Sequence, residues 1–403
     1  MSSCARAVCL GLALLGLCSG AAQAQVVTEI SVVGALPRTI TSGPDGNLWF
    51  TDGSRIGRIT PLGVVTEFSA GISAGAFSGD ITSGPDGNLW FTELDLNRIG
   101  RITPLGVVTE FSAGTPLGIT AGPDGNLWFT EESGRIGRID PNGAVTEFCA
   151  GITAGLVSIT AGPDGNLWFT EQGGGIGRIT PLGVVTEFSA GITAGARPWG
   201  ITAGPDGNLW FTEYLGSRIG RITPLGAVTE FSAGITAGAR PSSIASGPDG
   251  NLWFAESGGI GRITPLGVVT EFSAGITAGP VSITAGPDGN LWFTEAGSVL
   301  GCNLCDFPGK IGRITTGSIG TSFYTTAPCR VLDTRNATGA LGGPALAAGA
   351  RRDFAVTGTC GIPDAAVSIS VNVTVTEPTS AGTLLALPGP LPVVAFQVGV
   401  TRA

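Results

Sequence analysis

Gly43-Pro44-Asp45-Gly46-Asn47-Leu48-Trp49-Phe50 decides the fold, because the chain repeats it. The tryptophan returns at Trp90, Trp128, Trp168, Trp210, Trp253 and Trp292, at spacings of 41, 38, 40, 42, 43 and 39 residues. A period of about 40–45 residues, with four strands per unit, is that of a propeller blade. Seven phrases therefore predict an all-β chain built on a seven-bladed β-propeller. In one repeat, Pro198 to Ala203, Asn208 to Glu213, Arg218 to Thr223 and Ala227 to Phe231 read as strands. They are rich in the β-branched and aromatic residues that fit a pleated, packed surface. Gly204-Pro205-Asp206-Gly207 and Pro224-Leu225-Gly226 carry the residues of tight turns.

The ends of the chain predict how the ring closes. A fourth-strand phrase, Val-Val-Thr-Glu-Phe or a close variant, surrounds Glu67, Glu110, Glu147, Glu187, Glu230 and Glu271, which is one copy short. Val26-Val27-Thr28-Glu29-Ile30 supplies the missing copy, so an N-terminal strand is expected to complete the last blade and cover its edge. In a meandering blade the first and third turns share one face, and here those turns are nearly identical. The other face carries the second loops and the inter-blade connections, where the repeats differ. Function concentrates on variable loops held by a rigid scaffold, so that face is the expected binding face.

Met1 to Ala24 reads as a secretory signal: Arg6, an apolar run from Ala7 to Leu17, and Ala22-Gln23-Ala24 before the expected cleavage. Residues 25–320 are then the propeller and 321–403 a small β-rich C-terminal domain, where Val367 to Val375 alternates with the period of a strand. A secreted or periplasmic monomer without a membrane span is expected. Net charge is −9 with 21 basic residues, which argues against nucleic acid as a partner. In an oxidising compartment the plainest cysteine count is two disulfides, from Cys302, Cys305, Cys329 and Cys360, with Cys149 free.

Histidine is absent, which removes the commonest general base near neutral pH and the commonest metal ligand. The acid three residues beyond each phrase tryptophan comes next: Asp52, Glu93, Glu131, Glu171, Glu213, Glu256 and Glu295. Ringed around one end of a channel, these carboxylates would suit Mg²⁺ or Ca²⁺. As ordinary cross-strand partners they would instead pair with third-strand arginines, Glu213 with Arg218 for example. Glycine replaces that arginine at Gly175 and Gly259, leaving Glu171 and Glu256 as the acids expected to lack a partner. Trp199 stands outside the phrase, near Tyr214, as a stacking platform for a sugar or a ring, or as packing at the channel mouth.

Ile-Thr-Ala-Gly-Pro-Asp-Gly-Asn-Leu-Trp-Phe-Thr-Glu followed by Arg-Ile-Gly-Arg-Ile-Thr-Pro resembles the repeat of the virginiamycin B lyase, or streptogramin lyase, family, over about Val26 to Thr316. That resemblance implies a seven-bladed propeller and Mg²⁺-dependent linearisation of streptogramin B antibiotics by elimination at the lactone ester. It also implies a histidine two residues before an inner-strand isoleucine, one of them in a Glu-Pro-His phrase, and a metal-binding acid three residues beyond the tryptophan. The matching positions here are Arg38, Gly79, Leu117, Val157, Trp199, Ser242 and Val281, and Arg197-Pro198 and Arg240-Pro241 stand where Glu-Pro would. Of the implied metal set only carboxylates such as Glu171, Glu213 and Glu256 remain. The leading expectation is a non-lyase propeller binding a small molecule or glycan through Arg197, Trp199, Tyr214, Arg240 and Ser242. The alternatives are a divergent Mg²⁺-dependent lyase using the carboxylate ring, and a structural envelope or adhesion module. The segment from Ala327 to Arg335 resembles a domain appended to secreted bacterial proteins.

Overall fold

The computed structural model describes residues 25–32, 36–149, 151–152, 155–295 and 309–315. The expected signal segment, the C-terminal β domain and Cys302, Cys305, Cys329 and Cys360 lie outside the described residues. The described residues form seven four-stranded sheets. Blades one to six use consecutive strands, spanning 37–68, 78–112, 116–148, 156–188, 198–231 and 244–272. Blade seven joins Pro280–Ala285, Leu291–Glu295 and Gly309–Ile314 to Val27–Val32 from the start of the chain. Val27 lies opposite Ile314 and Val32 opposite Gly309 in that antiparallel pair. The seven-bladed all-β ring is thus the one read from the repeat, closed by the N-terminal strand.

The core lies between blades. Trp49 and Ile56 of blade one pack with Ile81, Leu89, Phe91 and Ile102 of blade two. Across the seam, Trp292 and Ile311 pack with Ile40, Leu48, Phe50 and Ile59 of blade one. Each blade therefore needs apolar side chains on both faces, and all seven phrase tryptophans are fully buried.

The polar residues of the phrase serve that packing. Asp45 accepts the Trp49 indole N–H at 3.0 Å and the Asn47 N–H at 3.2 Å, which folds the turn back over the strand. Arg58 lies 3.8 Å from the same aspartate, 5.5 Å over the Trp49 and Phe68 rings, and donates to the Pro104 carbonyl of blade two at 3.0 Å. Arg313 repeats the bond across the seam, to the Pro61 carbonyl of blade one at 3.1 Å. Gly57 faces Phe50 across the sheet, and a Cβ there would come within 2.0 Å of the ring, so only glycine leaves room for it.

Candidate functional site

The first strands of neighbouring blades touch one another around the ring and so form its inner wall. Six of the seven carry a bulge at the entry, for example between Pro198 and Ile201, and blade six is the one without it. A threonine two residues beyond the tryptophan fastens that bulge to the next blade. Thr212 Oγ1 accepts the Gly200 N–H at 2.8 Å and donates to the Ser242 carbonyl at 3.0 Å. Blade six has Ala255 in place of this threonine, and there Ser242 Oγ donates to the Val281 carbonyl at 3.0 Å. Ser242, expected as a ligand contact, supplies the missing link of the wall.

The acids beyond the tryptophans do not form a field at the channel mouth. They sit in the second strands beneath the inter-blade connections, none more than 3% exposed. Nor is the third-strand arginine their simple partner. Arg218 is 3.8 Å from Glu213 but 3.5 Å from Glu230 on the fourth strand. Arg55 likewise is 3.4 Å from Asp52 and 2.6 Å from Glu67. Carboxyl therefore faces carboxyl, in the pairs Glu93–Glu110, Glu213–Glu230, Glu256–Glu271 and Glu295–Glu29. Burial, and then the facing glutamate, raises Glu213 to about 8 and Glu93, Glu256 and Glu295 to about 7. Burial also pushes Glu230 upward, but the hydrogen bonds from Thr193 N–H and Oγ outweigh it and hold that carboxyl below its usual range. Glu213 therefore keeps its proton at neutral pH while Glu230 stays ionised. Glu171 is not without a partner, contrary to the expectation from Gly175.

A different cluster gathers on the variable face of blades four to six. Arg197 donates to Gln172 Oε1 at 2.7 Å and lies 5.3 Å over the Trp199 ring. Trp199 stacks against Tyr214 at 5.4 Å with a 35° tilt, and Arg240 lies 6.0 Å from the Tyr214 ring. The row runs arginine, tryptophan, tyrosine, arginine. Its ends are strained: Arg197 has φ 60° and Arg240 φ 51°, where Gly155 fills the matching position of blade four with φ 96°. A side chain in the left-handed region costs roughly 1–2 kcal/mol, and such strain collects at functional sites. Near the same mouth, Arg38 lies 4.8 Å over Phe77, and Phe77 stands just before the first strand of blade two, as Arg197 does in blade five. Among the described residues, Arg38, Arg197 and Arg240 are the three basic side chains outside repeated positions, and no carboxylate pairs with any of them. The sequence singled out the four-residue row but not Gln172, Arg38 or Phe77. Arg38 stands among the aligned first-strand positions without being given a role, and aligning the residue before each first strand would have found Phe77.

The donor set does not fit Mg²⁺. No three carboxylates, cysteines or histidines gather among the described residues to hold a metal ion. No helix among the described residues is long and apolar enough to cross a membrane. Cys149 is a free, exposed thiol.

The virginiamycin B lyase family model matches residues 22–153 and 112–328. The chain belongs to the virginiamycin B lyase family. A streptogramin B lyase structure is 35% identical, with 72% of this chain and 97% of that one covered at a TM-score of 0.65. A catalytically inactive histidine-to-alanine variant of virginiamycin B lyase from Staphylococcus aureus, solved with quinupristin, is 38% identical, with 72% and 99% covered and the same TM-score. The extracellular domain of a hybrid two-component system from B. thetaiotaomicron shares the fold at 15% identity, TM-score 0.54, covering 69% of this chain and 40% of that one. No curated protein sequence matches the chain.

Proposed function

We propose that this member of the lyase family is a secreted binding propeller that takes an anionic, ring-bearing ligand on its variable face and does not linearise streptogramins. The carrying observation is the set of unpaired arginines Arg197 and Arg240 flanking the Trp199–Tyr214 stack in a chain of net charge −9. Where the family resemblance expects a glutamate and a histidine, this row offers guanidinium and indole. Guanidinium binds carboxylate or sulfate through two parallel N–H donors. The flat indole and phenol faces receive a sugar or aromatic ring. A uronic-acid or sulfated oligosaccharide combines both features.

No side chain in the row can take a proton from carbon at neutral pH. Glu213, next to Tyr214 in the chain, is fully buried, with its proton held by burial and by Glu230.

A titration of the full chain with an oligoglucuronide and with its neutral glucan counterpart, followed by tryptophan fluorescence, tests the reading. Trp199 is the one half-buried tryptophan, the other seven being fully enclosed, so it alone should respond. The charged sugar should bind and the neutral one should not, and both Trp199→Ala and Arg197→Ala should abolish the response. Parallel incubation of a streptogramin B with Mg²⁺ should leave it cyclic; turnover would sink the non-lyase part of the proposal.

A further inference from the structure

The repeat contains its own control experiment for a second site. In five blades a basic side chain from the third strand pairs with the fourth-strand glutamate: Arg55, Arg98, Arg135, Arg218 and Lys310. Blade seven shows the seat in detail. Lys310 Nζ lies 2.7 Å from Glu29 Oε2 and also bonds Thr277 Oγ1, while Thr277 donates its N–H and Oγ to the two oxygens of Glu29, at 2.7 and 2.8 Å. Glu295 completes the seat from the second strand, opposite Lys310.

Blade six repeats every part except the cation. Thr236 donates its N–H and Oγ1 to Glu271, each at 2.6 Å, as Thr277 does to Glu29. Glu256 stands where Glu295 stands. At the position of the lysine is Gly259, opposite Glu256. No side chain could be placed there on this backbone, because a Cβ would lie 2.2 Å from the Phe272 carbonyl oxygen. What remains is a cavity of about 370 Å³ lined by Thr236, Glu256, Glu271 and the backbone around Ser257 and Ser273. Glu256 is 3% exposed and its Oε2 has no hydrogen-bond partner. The other cations nearby are engaged elsewhere: Arg240 at the Tyr214 ring, and Arg262 at the Trp253 and Phe272 rings.

We propose that the blade-six cavity is a socket for an alkylammonium or alkylguanidinium group from outside the chain, its head seated between Glu271, Glu256 and Thr236 as the Lys310 head is seated in blade seven. The source is either a free amine or a basic side chain of a partner peptide. A slender stem suits the cavity, because the groups that fill the equivalent seats are themselves lysine and arginine stems. This site is separate from the anion-binding row and does not depend on that reading.

Calorimetric titration of the full chain with n-butylammonium, butylguanidinium and an acetylated, amidated Gly-Lys-Gly peptide tests it. Blade four also carries glycine at this position, Gly175 opposite Glu171, but Glu171 and Glu187 there both already have partners, so one saturable site is expected. Glu271→Gln should weaken binding by about tenfold to a hundredfold, the usual cost of one partner in a charge-assisted hydrogen bond. Glu256→Gln should act in the same direction, whereas Glu93→Gln, in a blade already filled by Arg98, should leave binding unchanged. Emptying a filled seat gives the sharper arm: Arg98→Ala should raise the stoichiometry from one to two. Tighter binding of the peptide than of butylammonium would identify a partner side chain as the source, and the reverse a free amine. The proposal is overturned if no saturable binding occurs to the folded protein, if binding survives both blade-six glutamine variants, or if Mg²⁺ displaces the amine from the site and binds there more tightly.

Discussion

The two faces of the ring are made from the same repeat and treat charge in opposite ways. On the face of the turns, the polar groups are used up in holding the blade: Asp206 takes the indole N–H of Trp210, two donors of Asn208 and the approach of Arg221. On the opposite face, glutamates face glutamates, Arg197 and Arg240 have no counter-ion, and two blades carry glycine where the others seat a cation. Identical repeats can satisfy themselves only where each blade brings both halves of every contact. The variable face departs from that rule.

Breaking the comparison at tryptophan gives the largest effect. Trp210→Ala removes a fully buried ring between two blades and should lower stability by about 3–5 kcal/mol. Trp199→Ala removes a half-buried ring and should stay within about 1 kcal/mol while abolishing ligand binding. Equal losses in urea unfolding would mean that Trp199 is packing. Next comes Asp206→Ala, which leaves the Trp210 indole N–H and the Asn208 N–H without their acceptor and should cost about 1–3 kcal/mol.

This asymmetry also explains what could be read from the sequence. The turn residues, the tryptophan period and the displaced strand at Val27–Val32 are local or periodic signals, so the architecture, closure and strand limits were legible to within a residue or so. The pairing of charges was not. Whether Arg218 serves Glu213 or Glu230 depends on which strand lies across from it, and whether Ser242 touches ligand or wall depends on Ala255, thirteen residues away and aligned only by the fold. Gln172 reaches Arg197 from the preceding blade, a contact no local pattern announces. The Arg–Trp–Tyr–Arg composition was visible, but its order and the left-handed backbone at both arginines were not.

The acid pairs set a pH dependence of the opposite sign to ordinary acid denaturation. The carboxyl of Glu213 is raised from 4.5 to about 8 by burial and by Glu230, so the native state holds a proton that the unfolded chain releases. Stability from this group is complete below about pH 4.5 and is lost as the pH rises through about 8. Glu93, Glu256 and Glu295 act in the same direction through about 7. The melting temperature should therefore fall between neutral pH and about pH 9. Glu213→Gln keeps a neutral group beside Glu230 and should flatten part of that fall. An unchanged alkaline slope in the variant would show that Glu213 does not carry its proton in the folded chain.

The smallest effect is the most discriminating, because its expected sign is unusual. Arg197 holds a left-handed backbone that glycine adopts without strain, as Gly155 does at the same place in blade four. Arg197→Gly relieves roughly 1 kcal/mol of strain, and the greater freedom of glycine in the unfolded chain offsets part of it. Stability should stay level or rise by up to about 1 kcal/mol, although the contacts to Gln172 and Trp199 are gone. Binding of the charged sugar should drop in the same variant. A residue kept in the fold for packing would show the reverse, a stability loss with binding intact. That combination, stability kept and binding lost, would separate the two faces more cleanly than any buried substitution.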